Sequence, residues 1–214
     1  MKIYIIILFT FFFHNLGFST IQIPDKIKIG GKIYCLETFP FDIYLKNHKT
    51  KIPFDKISSN STALRRGYIA TYEIKNNLIF LVDIEIEIEN NSNRSADEYK
   101  SVFSKIFKSK KPILIDWYSG LISIQMNLWD NYLRGENLKF TIIEISNGNI
   151  LKQKTFDEQQ YEEFLTQQFI EFKKTPEYKA LKEKSIKEYE SVEEFDMVKR
   201  TLILKYTTKI LYEW

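Results

Sequence analysis

The stretch from Ser61 to Glu89, STALRRGYIATYEIKNNLIFLVDIEIEIE, carries the strongest pattern in the chain. Asn76-Asn77 separates two runs rich in β-branched and aromatic residues, which predicts a strand, a two-residue turn and a second strand. A turn there sets Ile74 opposite Ile79, Tyr72 opposite Leu81, Ala70 opposite Asp83, Tyr68 opposite Glu85 and Arg66 opposite Glu87. Alternation then puts Phe80, Val82, Ile84, Ile86 and Ile88 on the core face. The other face ends in an acidic ladder, Asp83, Glu85, Glu87 and Glu89. An exposed pair between Arg66 and Glu87 adds only ~0–1 kcal/mol, so its main effect is to hold register. Arg65 falls on the apolar side in this register and needs a partner there.

Outward from this segment the same signals recur. Gly30-Gly31 predicts a hairpin turn within IKIGGKIYCLE, and Asn147-Gly148 another within LKFTIIEISNGNILKQK. FPFDIYLKNHKTKIPF, broken by Pro40 and Pro53, reads as an irregular or edge segment. Ser95 with Glu98 reads as a capping box opening a helix through Tyr99, Val102, Phe103, Ile106 and Phe107. PILIDWYSGLISIQM reads as a hairpin turned at Ser119-Gly120, with Tyr118 opposite Leu121, Trp117 opposite Ile122 and Asp116 opposite Ser123. From Thr155 the period becomes helical. Thr155 with Glu158 and Ser191 with Glu194 are capping boxes, and Thr175-Pro176 is a cap followed by proline at the first helical position. Tyr161, Phe164, Leu165 and Phe172 stripe the first of these helices; Phe195, Val198, Leu202 and Tyr206 stripe the last. The expected fold is α+β: a mainly antiparallel sheet of β-hairpins, one inserted helix, and a C-terminal helical segment packed on it.

At the start, Lys2, an apolar run from Ile3 to Phe13 and the small residues Gly17 and Ser19 describe a secretory signal peptide over 1–19, cut after Ser19. The alternative is an uncleaved anchor, although the run is short against the ~20 apolar residues that span a bilayer. Residues 20–214 then form a single domain, β-rich over 20–154 and helical over 155–214. Export predicts a bacterial periplasm, cell surface or extracellular space. No transmembrane span is expected in the mature chain.

Of 214 residues 44% are apolar and 15% aromatic, which describes a chain with a packed core. A net charge of +3 is too small to point to nucleic acid. The lone Cys35 cannot form an internal disulfide and reads as a buried, inert thiol. After the signal His48 is the only histidine, and its hydrophilic, lysine-flanked setting reads as surface. That leaves no histidine-rich zinc site, and neither a nucleophile elbow nor a phosphate-binding glycine loop is present. Calcium takes six to eight converging oxygens, whereas carboxylates two apart on a strand line up about 6–7 Å apart. The acidic ladder therefore reads as a solvated face; no metal and no cofactor are expected.

Two groups of residues retain binding chemistry. Arg65 and Arg66, with Tyr68 beside them, can clamp a carboxylate or phosphate. Asp116, Trp117 and Tyr118 put an acid among rings, as a sugar-facing site would, or as an ordinary hairpin would. The segments STALRRGYIATYEIKNNLIFLVDIEI and DWYSGLI, with FPFDIYL and FIEFKKTPEYKAL, resemble an uncharacterised family of small bacterial proteins. The resemblance covers most of the mature chain and implies one fold unit; it implies no activity and no catalytic residue. The function expected is a non-enzymatic binding or interaction module with a protein or peptide partner. The alternatives are a hydrolase using a carboxylate pair that includes Asp116, and an immunity or inhibitor protein for a secreted toxin.

Overall fold

The computed structural model describes residues 22–52, 62–88, 98–128 and 138–212. The expected signal segment, Glu89, the Ser95 cap and the loop over 129–137 lie outside them.

β1 (Asp25–Ile29) and β2 (Lys32–Leu36) are joined by Gly30 and Gly31, both at positive φ. After α1 (Pro40–His48), β3 (Ile69–Lys75) turns into β4 (Leu78–Ile88) through Asn76 and Asn77, at φ 52° and 59°. Then follow β5 (Glu98–Ser101), α2 (Phe103–Phe107), β6 (Ile113–Leu114), β7 (Gly120–Leu128), β8 (Lys139–Ser146) and β9 (Asn149–Asp157). The chain ends in α3 (Glu158–Phe172), α4 (Pro176–Ser185), α5 (Val192–Thr201) and α6 (Ile203–Tyr206). Among the described residues no helix is long and apolar enough to cross a membrane.

These strands do not make the mainly antiparallel sheet of β-hairpins that the sequence predicts. Seven of them close into a mixed barrel in the order β3, β1, β2, β7, β8, β9, β4, while β5 and β6 add to β4 outside the ring. Three pairings without a local sequence signal close it, one of them antiparallel between β2 and β7. β1 runs parallel to β3, with Lys26 opposite Thr71 and Lys28 opposite Glu73. The tips of two hairpins then meet at Leu78 and Asn149, where Ile79 N–H donates to Gly148 O and Ile150 N–H to Asn77 O, each at 2.9 Å. Closure removes most of the free edge that an open sheet would present.

Three further expectations are corrected. Ile113 and Leu114 pair with Leu81 and Phe80 of β4, and β7 pairs with β2 and β8, so no hairpin turns at Ser119-Gly120. Instead Tyr118 N–H donates to Ile115 O, closing a tight turn over Asp116 and Trp117. Glu98 to Ser101 is strand, with only Phe103–Phe107 helical, because the Glu85–Ile88 edge of β4 takes it as a partner. FPFDIYL is helical, because Pro40 stands at the first position of α1, where its missing N–H costs nothing.

The register of the opening hairpin also shifts. Ile74 faces Ile79 and Tyr72 faces Leu81, but Thr71 faces Asp83, which leaves Val82 as an extra residue on β4. This bulge changes the parity of the core face from Ile79 and Leu81 to Ile84 and Ile86, and all four are buried. Asp83 supports it, accepting from Ile84 N–H at 2.8 Å and Ser101 Oγ–H at 2.6 Å.

Two apolar cores result. One fills the barrel with Ile27, Tyr72, Leu81, Ile122 and Ile143 and takes in Phe41 of α1 and Phe103 of α2. The other lies between the outer face of β7–β9 and the C-terminal helices, with Leu121, Phe140 and Ile142 against Tyr161, Phe164 and Phe195. β8 is covered on both faces, which accounts for its nearly continuous apolar run. α3 is capped by Asp157 in a box with Gln160 rather than by Thr155, because β9 continues through Thr155 and ends at Asp157. Thr175 and Ser191 cap α4 and α5. Lys199 is only 6% exposed, with Nζ donating to the hydroxyls of Tyr189 and Tyr206 at 3.0 and 3.3 Å.

Candidate functional site

Arg66 precedes β3 instead of lying in it, so it does not face Glu87; Tyr99 does. Its guanidinium turns to the start of β1, where Nη2 donates to Ile23 O at 2.9 Å and to Asp25 Oδ1 at 3.2 Å. The same Oδ1 accepts from Ala70 N–H at 3.0 Å. Asp25 is completely buried. Burial, opposed by Arg66, pushes its carboxyl up to about 7. Asp25 Oδ2 and Arg66 Nε have no hydrogen-bond partner among the described residues. Arg66 also stacks on Phe39, its guanidinium carbon 3.5 Å from the ring centroid.

Phe39 begins the wall of a cleft of about 290 Å³ at one side of the barrel. Three distant segments line it: Thr38 to Ile43 at the start of α1, Tyr118 to Gly120 before β7, and Leu204 to Thr208 at the end of α6. Two tyrosines on or beside β3 hold the first segment. Tyr72 Oη accepts from Phe41 N–H at 3.0 Å, and Tyr68 O–H donates to Asp42 Oδ1 at 2.5 Å. Burial, followed by the carboxylates of Asp25 and Asp42, pushes the Tyr68 hydroxyl well above its usual range, so it stays a donor. Tyr118 fixes the second segment, its buried hydroxyl donating to Leu121 O at 2.9 Å. Gln168 fixes the third, donating to Thr207 Oγ1 at 3.0 Å and to Lys209 O at 2.8 Å.

Comparison with protein-family models, curated proteins and solved structures finds no match to this chain. The cleft presents the exposed carboxylate of Asp42, the exposed ammonium of Lys205, and an apolar surface from Phe39, Ile43 and Leu204. Thr38, 7% exposed, lines it with an Oγ1 that has no partner among the described residues.

The residues expected to bind are only partly brought together. Tyr68 and Arg66 support the cleft from behind, through Asp42 and Phe39, and Tyr118 lines it. Arg65 is exposed on the turn before β3, where its N–H donates to Gln22 Oε1, and its side chain does not lie on the apolar face that the register assigned it. Asp116 is exposed, while Trp117 turns away to pack on Tyr44 and Phe107 and donates from Nε1 to Pro40 O at 3.3 Å. Neither is among the residues that line the cleft with Asp42. His48 stacks on Tyr44 at the exposed end of α1. In the ladder, Glu85 pairs with Lys26 at 2.9 Å, and among the described residues no three metal-ligating side chains converge. Burial pushes the Cys35 thiol up to about 12.

Asp25, Phe39, Asp42 and Lys205 escaped the sequence reading. Asp25 did leave a signal: it shares the inward parity of Ile27, and a carboxylate at an inward position needs a buried partner. Asp42 and Lys205 left none, since an acid in a first helical turn and a lysine in a last one suit the helix dipole without a ligand.

Proposed function

We propose that the protein is an exported, non-enzymatic binding module whose ligand site is the cleft between the start of α1, the turn before β7 and the end of α6. One observation carries this reading: three segments far apart in sequence are each held by hydrogen bonds so as to face one cleft with a carboxylate, an ammonium and an aromatic ring. Clefts of roughly 300 Å³ and more, apolar with a few convergent polar groups, are where small ligands bind. What supports binding over hydrolysis is the acid inventory. A glycosidase-type mechanism uses two carboxyl groups about 5–9.5 Å apart, and among the described residues the cleft is lined by one, Asp42.

The test is a ligand-observed NMR screen of small polar metabolites, with hits mapped on the amide spectrum. The expected result is perturbation centred on Asp42, Ser119 and Lys205, abolished by Thr208→Trp, which fills the cleft from an exposed position. Perturbation centred elsewhere, or chemical turnover of a hit, counts against the reading. Export is checked in the same preparation: protein recovered from the periplasm or medium begins at Thr20.

A further inference from the structure

The cleft's two charges specify more than a generic ligand. Asp42 and Lys205 line the same small space, and neither has an ion-pair partner among the described residues. Tyr68 occupies Asp42 Oδ1 and so fixes the carboxylate, leaving its second oxygen for another donor. Lys205 Nζ stands 6.0 Å from the centroid of the Phe39 ring, whose orientation Arg66 holds.

Each simpler ligand class meets a penalty here. An anion brought to Lys205 shares the cleft with the Asp42 carboxylate, and a cation brought to Asp42 shares it with the Lys205 ammonium. A lipid tail would strip water from both charges and pair neither, which is costly, and a neutral sugar would offer hydroxyls to both but an opposite charge to neither. A molecule carrying one charge of each sign instead gains a charge-assisted hydrogen bond at both ends. The volume, at the low end of ligand clefts, suits one or two residues of such a molecule. Ile43, 38% exposed at the rim, and the Phe39 ring offer the middle of the ligand an apolar surface. Thr38 Oγ1 adds a buried polar atom without a partner among the described residues.

We propose that the cleft binds a small zwitterion of the α-amino-acid type with an apolar side chain: its ammonium lies against Asp42, its carboxylate against Lys205, and its side chain against Phe39 and Ile43. The proposal rests on the reading of the cleft as the ligand site. A free amino acid and a dipeptide share this chemistry.

The experiment is an amide-detected NMR titration of the purified chain with L-leucine, glycyl-L-leucine, L-leucinamide, which lacks the carboxylate, and N-acetyl-L-leucine, which lacks the ammonium. L-Leucine or the dipeptide is expected to shift cleft amides at millimolar concentration, the tighter of the two identifying the source. Each blocked analogue is expected to bind at least about tenfold more weakly, since each leaves one charge unpaired. Asp42→Asn keeps the acceptor for Tyr68 and should weaken L-leucine about tenfold while narrowing its advantage over N-acetyl-L-leucine. Lys205→Gln should narrow the advantage over L-leucinamide in the same way. Blocked analogues binding the cleft as tightly as L-leucine would overturn the zwitterion and leave the cleft as a ligand site. Shifts confined to residues outside the cleft would overturn both. No binding by L-leucine or the dipeptide would overturn the zwitterion alone.

Discussion

Arg66 and Asp25 show what one side chain's position decides. In a regular hairpin register Arg66 has an exposed partner worth ~0–1 kcal/mol; in the folded chain it joins a fully buried carboxylate. Burial raises the carboxyl from 3.8 to about 7 against the pull of Arg66 and Lys26, with Asp42 adding to the rise. The folded chain thus holds this proton more tightly than the unfolded chain does. The sign follows: the contribution is fully present below pH 3.8 and is lost as pH rises to about 7, by at most about 4 kcal/mol. Asp25→Asn removes the titration. Urea unfolding of both proteins from pH 4 to 7 should show the parent losing stability relative to the variant as pH rises. A difference growing in the parent's favour would mean that Arg66 outweighs burial.

At the scale of elements, β4 separates what alternation predicts from what the barrel selects. Simple alternation buries Phe80 and Val82; the bulge at Val82 puts Ile79 and Leu81 inside instead, in phase with Ile84 and Ile86. Leu81→Ala should therefore cost about 2–5 kcal/mol and Phe80→Ala distinctly less, despite the larger side chain lost from Phe80. Chemical denaturation measures both, and the reverse ranking would restore the regular register. The bulge was illegible because an extra residue in one strand leaves the composition of that strand unchanged. The turns at Gly30-Gly31, Asn76-Asn77 and Asn147-Gly148 were legible because positive φ is a local demand that these residues meet. The failure at Ser119-Gly120 has the same root. Ile113 and Leu114 can pair with any exposed strand edge, and the edge they take is that of β4.

Across the whole molecule, barrel closure depends on a few atoms. Gly148, at φ +76°, accepts from Ile79 N–H and donates to Tyr118 O, tying the β8–β9 turn to β4 and to the cleft wall. A Cβ there would stand 3.0 Å from Leu114 Cδ1 and 3.2 Å from the Ile115 carbonyl, whereas one on Gly30, also at positive φ, meets nothing within 4 Å. Alanine at either site incurs the left-handed backbone cost of about 1–2 kcal/mol. Gly148→Ala should add about 1–3 kcal/mol more by forcing the seam apart. Equal losses of thermal stability in the two variants would show that the seam yields freely. The hairpins turned at Gly30-Gly31, Asn76-Asn77 and Asn147-Gly148, the helix caps at Thr175 and Ser191, and the apolar stripe of α3 were determined by the sequence alone, because each follows from interactions within a few residues. The closed barrel, the bulge register, the buried Asp25–Arg66 pair and the charged cleft were decided only in the tertiary structure. They join residues tens of positions apart, and no local propensity distinguishes the pairing that forms from the others the same strands could make.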